Sequence, residues 1–248
     1  MDHPRDNKIL GRLDDGTLDQ IVSSGSMVRL PQGEVIAEPL DQFDTVYFPT
    51  SGVVSFVVQV SSGDKIEAGM VGKDGVVGAD EVLNGTAAFN EIIVQGAGAA
   101  LAIPAERFKE LYSTHDGLRR NVALFRAIFV AQVQQTGACN ASHRIDQRFC
   151  RWLLRVRDLA GDEFSLTQEF IAQMLGVQRA SVSTEAHKLQ QEGLISYRRG
   201  HIRITEPDRL LHAACACYGD LKCYEHAIAA RKQNGVAGGD ISPSALAT

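Results

Sequence analysis

The feature that most constrains this chain is a change of hydrophobic period at Pro104. From Met27 to Pro104 the apolar residues come in short runs, VRL, EVIAE, TVYF, GVVSFVVQV, KIEAGMVG, GVVGA, EIIVQG and AALAIP. They are rich in Val and Ile and separated by the turn sequences PQG, PTSG, SSGD and GKDG, so each reads as a short strand. Many short strands at close spacing predict a sandwich or barrel. Ahead of them, Leu10, Leu13, Leu18 and Ile21 predict one or two short helices between Ile9 and Ser23.

Beyond Pro104 the period is helical. PAERFKELY opens with proline and an early acid, as a helix start does. Leu118, Val122, Phe125, Phe129 and Val133 then recur at steps of 4, 3, 4 and 4 and predict a helix over 118–136. This stripe can pack on the barrel or on a second copy of itself. QTGACNASH predicts an interruption, with Asn140 or Ser142 as cap of a new helix over 144–159. In that helix Ile145, Phe149, Trp152, Leu153, Val156 and Leu159 form the apolar face, and Arg144, Arg148, Arg151 and Arg155 form a second row. The arginine row reads as a solvated face paired with nearby acids, with an approach to phosphates as the alternative.

The following block carries the functional signal. Thr167 is a good N-cap for QEFIAQML, Gly176 supplies the turn, and a second helix runs from about Arg179 to Glu192, with Val182, Ala186 and Leu189 inward. LISYRR and HIRIT follow as two strands around Arg199, Gly200 and His201. Helix, glycine turn, helix and basic hairpin make a winged helix-turn-helix, in which the start of the second helix enters the major groove of double-stranded DNA. Charge agrees: residues 1–142 carry 11 Lys/Arg against 18 Asp/Glu, whereas 143–212 carry 11 against 9. One region thus suits a polyanion and its neighbour does not. Base contacts are expected from Gln178, Arg179, Ser183 and Thr184, with Arg179 suited to guanine. Phosphate contacts are expected from Thr167, Ser181, Lys188, Arg198, Arg199 and Arg203.

LTQEFIAQMLGVQRASVSTEAHKLQQEGLISYRRGHIRI resembles the DNA-binding motif of the Crp/Fnr family, the relatives of the cyclic-AMP receptor protein and the fumarate-nitrate regulator. The order of elements over about residues 9–212 is similar too. The resemblance implies an α+β protein: an N-terminal β-roll sensor domain over 1–116, like a cyclic-nucleotide-binding jelly roll with flanking helices; a central dimerisation helix over 117–138; a winged helix-turn-helix domain over 139–231; and a flexible tail over 232–248. It implies a homodimeric transcription regulator, with Leu118, Val122, Phe125, Phe129 and Val133 as the dimer seam and RNA polymerase as a further partner.

Two departures from the family pattern matter. Where members that read the best-known half-site carry Glu and a second Arg after the first Arg, this chain has Ala180 and Thr184, so a different half-site is implied. The family's cyclic-nucleotide cassette needs Gly-Glu and a following Arg, but here Ala79 follows Gly78, and Ala87, Ala88, Phe89 and Asn90 supply no arginine. A cyclic phosphate would lose its charged partner, so cyclic AMP is disfavoured, and an effector of another kind or none is expected. Asp80, Glu81 and Asn90 remain either for some other ligand or as surface residues.

No cofactor is expected: the first cysteine is Cys139, so there is no N-terminal cluster for iron and sulfur, and no haem ligand is assigned. His212, Cys215, Cys217, Cys223 and His226 are candidate metal or redox groups, yet on a continuous helix Cys215 and Cys217 would point about 160° apart. They are read as structural thiols, with no metal site. No nucleophile-base signature or phosphate loop suggests an enzyme. No apolar run approaches the roughly 18 residues of a membrane span and the start MDHPRDNK has no apolar signal core, so a cytoplasmic protein without membrane contact is expected. Two other readings stay open: a signalling module acting through protein contacts, and a thiol- or metal-responsive regulator using the C-terminal cysteines.

Overall fold

The computed structural model describes residues 2–233. Two short 3-10 turns, Pro4–Asp6 and Leu10–Arg12, lead into helix α1 (Asp15–Ser23). Seven strands follow: β1 (Ser26–Leu30), β2 (Val35–Ala37), β3 (Thr45–Pro49), β4 (Val53–Gln59), β5 (Lys65–Val71), β6 (Glu91–Gly96) and β7 (Gly98–Pro104). They pair antiparallel in two sheets, ordered β1-β7-β3 and β2-β6-β4-β5. Leu30 and Ala100 from the first sheet meet Val54, Val71, Ile92 and Val94 from the second in one buried cluster, so the alternation read from the sequence is the inside of a roll.

GVVGA is not a strand. Val77 makes only an isolated bridge to Tyr47, and Gly78, at φ +82°, turns the chain into helix α2 (Ala79–Asn84). A residue with a Cβ at position 78 would collide with the Phe43 ring, so the turn needs glycine twice over.

Helix α3 (Ala105–Thr114) and the start of α4 (Asp116–Ser142) cover the outer face of the three-stranded sheet together with α1. Here Leu118 and Val122 are fully buried beside Phe48, Ile103 and Phe108. Phe125 and Phe129 continue the stripe onto the second sheet, where Phe129 lies 4.9 Å from the Phe56 ring. Val133 packs near Gly69. Of the five residues expected as a dimer seam, Leu118 and Val122 are thus taken up by the chain's own roll, and Phe125, Phe129 and Val133, half-buried, pack against it. The reason is area: a seam needs an apolar face left over after folding, and these rings fill the space that Gly69 and Gly75 leave open.

The interruption expected at QTGACNASH is also absent. Helix α4 runs through Gly137 to Ser142, because one glycine costs only about 1 kcal/mol in a helix and buried Cys139 anchors the last turn. Ser142 donates its hydroxyl to the Ala138 carbonyl within α4 instead of capping the next helix. The break falls at His143 and Arg144, and α5 (Ile145–Ala160) begins there without a side-chain cap.

The remaining elements are β8 (Glu163–Ser165), α6 (Gln168–Leu175), α7 (Arg179–Gln191), β9 (Ile195–Arg198), β10 (His201–Ile204), α8 (Pro207–Ala213) and α9 (Cys217–Gln233). Residues 234–248, most of the expected tail, lie outside the described residues. The core of this second half joins Phe149, Leu153, Ile171, Val182, Leu189 and Ile202, and it extends to Val53, Val57 and Met70 of the roll. The two halves thus share apolar core, and polar bonds cross the same boundary. Trp152 donates its indole N–H to Glu67 (3.0 Å), Arg155 pairs with Asp74 (2.5 Å), and Gln132 of α4 bonds both backbone groups of Met70.

That boundary corrects the reading of the arginine row. Arg144 alone is solvated, paired with Asp146. Arg148 donates to the Leu175 carbonyl, and Arg151 and Arg155 are buried. Arg155 is paired with Asp74 of the roll, and Arg151 donates to Thr136 of α4 and lies near Glu67.

Candidate nucleic-acid interface

Helix α6 starts where Thr167 accepts a hydrogen bond from the Phe170 N–H (3.1 Å), as its sequence suggested. It stops at Gly176, at φ +62°, whose N–H and that of Val177 return to carbonyls of the last turn. The chain then re-enters a helix at Arg179. Val182, Ala186 and Leu189 point into the core, which forces the other face outward.

On that outward face Gln178, Arg179, Ser183 and Thr184 are all exposed, and Ser181 is half-buried. Gln178 makes no side-chain capping bond, so first-turn amides of α7 remain available to an anion. Thr184 donates its hydroxyl to the Ala180 carbonyl (3.0 Å) and keeps its lone pairs for a base-edge donor. Arg179 has one acidic neighbour, Glu169, at 3.9 Å, and both side chains are more than two-thirds exposed. An exposed pair at that separation holds the guanidinium only loosely.

The wing is a three-stranded sheet ordered β8-β10-β9. Strand β8 was hidden in the sequence, where AGDE reads as a turn and EFS is too short to declare itself. Arg198 pairs with His201, so Arg199 and Gly200 are the two-residue turn, and both have positive φ (51° and 82°) as a type I′ turn requires. Leu166 donates its N–H to the Gly200 carbonyl (2.6 Å) and ties the tip to the entry of α6. An open cleft separates the wing tip from the start of α7, lined by Thr167, Gln168, Glu169, Arg179, Tyr197 and Arg199.

The structure brings Thr167, Arg179 and Arg199 to this cleft and exposes Lys188 and Arg198. Arg203 is exposed but engaged with Glu163 of β8 at 2.8 Å, an acid that His201 also approaches. The sequence reading missed Glu163 and Glu169, the carboxylates that pair with Arg203 and Arg179 on this surface.

The corresponding part of the roll has the opposite character. Asp80 and Glu81 lie in the first turn of α2, beside Phe125, Phe129 and Asn90. Burial pushes both carboxyls above their ordinary values, and Arg126 of α4 reaches Asp80 at 2.7 Å. Asp80, Glu81, Arg126, Phe125 and Phe129 line one small cavity here.

The cysteines divide unexpectedly. Helix α8 ends at Ala213, Ala214 is extended, and α9 begins only at Cys217. The helix expected to separate Cys215 from Cys217 is broken between them, and both turn toward Cys139 and His143. The Cys215 thiol hydrogen-bonds Cys139 and draws it down to about 4, while Cys215 itself is pushed up. Cys223, His212 and His226 are exposed and outside this group.

Comparison with known sequence families matches residues 27–115 to the cyclic nucleotide-binding domain and residues 147–213 to the Crp-like helix-turn-helix domain. The chain belongs to the Crp/Fnr family. It is a DNA-binding transcription regulator of that type. Solved structures share the fold. FixK2 of Bradyrhizobium japonicum is 14% identical with a TM-score of 0.66, covering 77% of this chain and 98% of that one. A CRP-family transcriptional regulator of Thermus thermophilus is 21% identical with a TM-score of 0.63, covering 75% and 96%. CLP of Xanthomonas campestris, a c-di-GMP-responsive global regulator, is 18% identical with a TM-score of 0.62, covering 77% and 99%. No curated protein sequence matches the chain. No described helix of this Crp/Fnr protein is long and apolar enough to cross a membrane.

Proposed function

We propose that this cytoplasmic regulator binds a two-fold symmetric DNA site as a homodimer, reading bases with Gln178, Arg179, Ser183 and Thr184 and gripping phosphates with the wing. One observation carries the reading: Arg179 stands at the exposed start of α7, across an open cleft from Arg199, with only a long pair to Glu169 to displace. Thr167, Ser181, Lys188 and Arg198 frame the same surface, and Arg203 joins them by exchanging Glu163 for a phosphate. With Ala180 and Thr184 following Arg179, a single guanine contact per half-site is the sharpest feature of the word it reads.

We place the dimer surface on another face of α4. Ala123, Ala127, Val130, Gln134 and Ala138 are exposed on the side of α4 away from the roll, at steps of 4, 3, 4 and 4. Val130 is 53% exposed, and small residues around it let two copies of α4 approach closely. Cyclic AMP is not the effector in this reading, because Ala79, Ala87, Ala88, Phe89 and Asn90 stand where the family's cassette carries its Glu and Arg, and Arg126, the cation lining this cavity, is already paired with Asp80.

Selection of bound DNA from a random pool by the full chain tests this. A palindrome with half-sites about 10 base pairs apart is expected, enriched equally with and without cyclic AMP. Recovery of DNA without an enriched palindrome would overturn the base-reading dimer, and enrichment dependent on cyclic AMP would overturn the view of the roll.

A further inference from the structure

Two pairs of metal-ligating residues far apart in the sequence converge where α4 ends. Cys139 and His143 are four residues apart on the last turn of α4 and its cap, so they share one face. Cys215 and Cys217 flank Ala216 in the break between α8 and α9. The Cys139 and Cys215 sulfurs are 3.9 Å apart, the Cys217 sulfur is 3.9 Å from His143 Nδ1, and all four ligand atoms lie within 4.8 Å of one another.

We propose that Cys139, His143, Cys215 and Cys217 form a structural zinc site that clamps the end of α4 to the junction of α8 and α9. A tetrahedral zinc with bonds of about 2.3 Å to sulfur and 2.0–2.1 Å to nitrogen needs ligand separations of about 3.5–3.8 Å. The two measured contacts lie close to those edges, and the widest pair closes by about 1 Å. Three thiolates and a neutral imidazole around Zn²⁺ leave a net charge of −1. Arg151, which acts electrostatically on Cys139 and Cys215, offsets it. On binding, whichever of these thiols still carry a proton release it to solvent, and no electron is transferred. A disulfide would use two of these four groups and leave the convergence of Cys217 and His143 without purpose.

The site closes a loop in the architecture. Helix α9 is also held to α5, through the Tyr218 hydroxyl on Asp158 (3.0 Å) and Lys222 on Asp158 (2.7 Å). Metal at the cluster ties α4 to that same unit on the far side of the hinge at His143. The link joins the roll's helix to the winged domain outside the DNA face, so it stands whether or not the base-reading assignment does.

The full chain, purified without chelator, is expected to carry about one zinc per protein by elemental analysis. Cobalt(II) added to chelator-stripped protein under reducing conditions should give the visible bands of a tetrahedral thiolate complex. Cys217→Ser, at the half-buried edge of the cluster, should abolish the bands and bring zinc close to zero, whereas Cys223→Ser and Cys150→Ser should leave both unchanged. Tetrahedral bands in the unsubstituted protein test the site even if a variant fails to fold. Zinc-free protein without cobalt bands, metal that survives Cys217→Ser, or a Cys139–Cys215 disulfide in the native protein would each overturn the proposal.

Discussion

Helices α5 and α7 belong to the same winged domain, and both present arginines, with opposite fates. On α5, Arg151 and Arg155 are each 8% exposed and turn toward Glu67, Asp74 and the Met70 carbonyl of the roll. On α7, Arg179 is two-thirds exposed and meets one distant carboxylate. The positive balance of residues 143–212 therefore overstates what DNA meets, because part of it is consumed inside the molecule. An arginine row becomes a nucleic-acid face only where the chain has left it without a closer anion. In α5 the roll supplies that anion; in α7, among the described residues, Glu169 alone is paired with Arg179.

The largest effect follows from breaking the buried side of this contrast. Asp74→Ala leaves the Arg155 guanidinium buried without its counter-ion, which costs about 3–5 kcal/mol. A large fall in the thermal midpoint is expected, along with loosening of the contact between roll and winged domain, visible by hydrogen exchange in β5 and α5. Pairing the change with Arg155→Met should recover most of the loss, since an apolar replacement removes both charges together. Equal midpoints for Asp74→Ala and the unsubstituted protein would show that the pair is not buried in solution.

Glu67 gives the second effect. Its carboxyl is enclosed between β5 and α5, accepting bonds from Ser55 (2.7 Å) and Trp152 (3.0 Å), and desolvation pushes it up to about 7. An acid whose folded value lies above its unfolded value holds a proton in the folded state that the unfolded state has lost. Its contribution is fully present below pH about 4.5 and disappears as pH rises through 7. Glu67→Gln keeps the acceptor without the charge, so it should stabilise the protein by up to about 3 kcal/mol at pH 8 and change little below pH 4.5. Parallel melting curves for the two proteins from pH 4 to 9 would contradict the assignment.

The third test turns to the exposed side. Arg179→Ala should weaken binding to the selected site by about 1–3 kcal/mol while leaving non-specific DNA nearly unaffected. Titration against single-base variants of the site should show the preference lost at one base pair per half-site. An equal loss on every sequence would reassign Arg179 to a phosphate.

The contrast also explains what was legible beforehand. The helix-turn-helix and the exposed face of α7 were readable because their logic is local: Thr167 caps, Gly176 turns, and Val182, Ala186 and Leu189 fix which face of α7 looks outward. The roll was readable for the same reason, except at GVVGA, where Phe43 and the left-handed Gly78 override a strand-like composition. What stayed hidden was tertiary. Leu118 to Val133 has the periodicity of a seam whether it meets a partner or its own roll, and only the space beside Gly69 and Gly75 decides between them. Likewise nothing near Cys215 announces Cys139, 76 residues away, or the helix break at Ala214 that points Cys215 and Cys217 the same way.

The smallest effect is expected at the wing, where Arg199 carries charge but sits at φ 51°, a conformation that favours glycine. Its position next to Gly200, at the turn and not in a strand, leaves the exposed side chain at the tip of the hairpin, beside the cleft. Arg199→Gly relieves the backbone and removes the charge together, so folding stability should rise slightly while DNA binding falls. The loss should be uniform across sequences and should lower the dependence of log affinity on log salt by about 0.9 per half-site, the signature of one fewer displaced counter-ion. Arg199→Lys, which restores the charge but not the planar fork, should recover the salt slope. A loss confined to the selected sequence would instead make the wing a reader of bases, and the division between a reading helix and a gripping wing would fall.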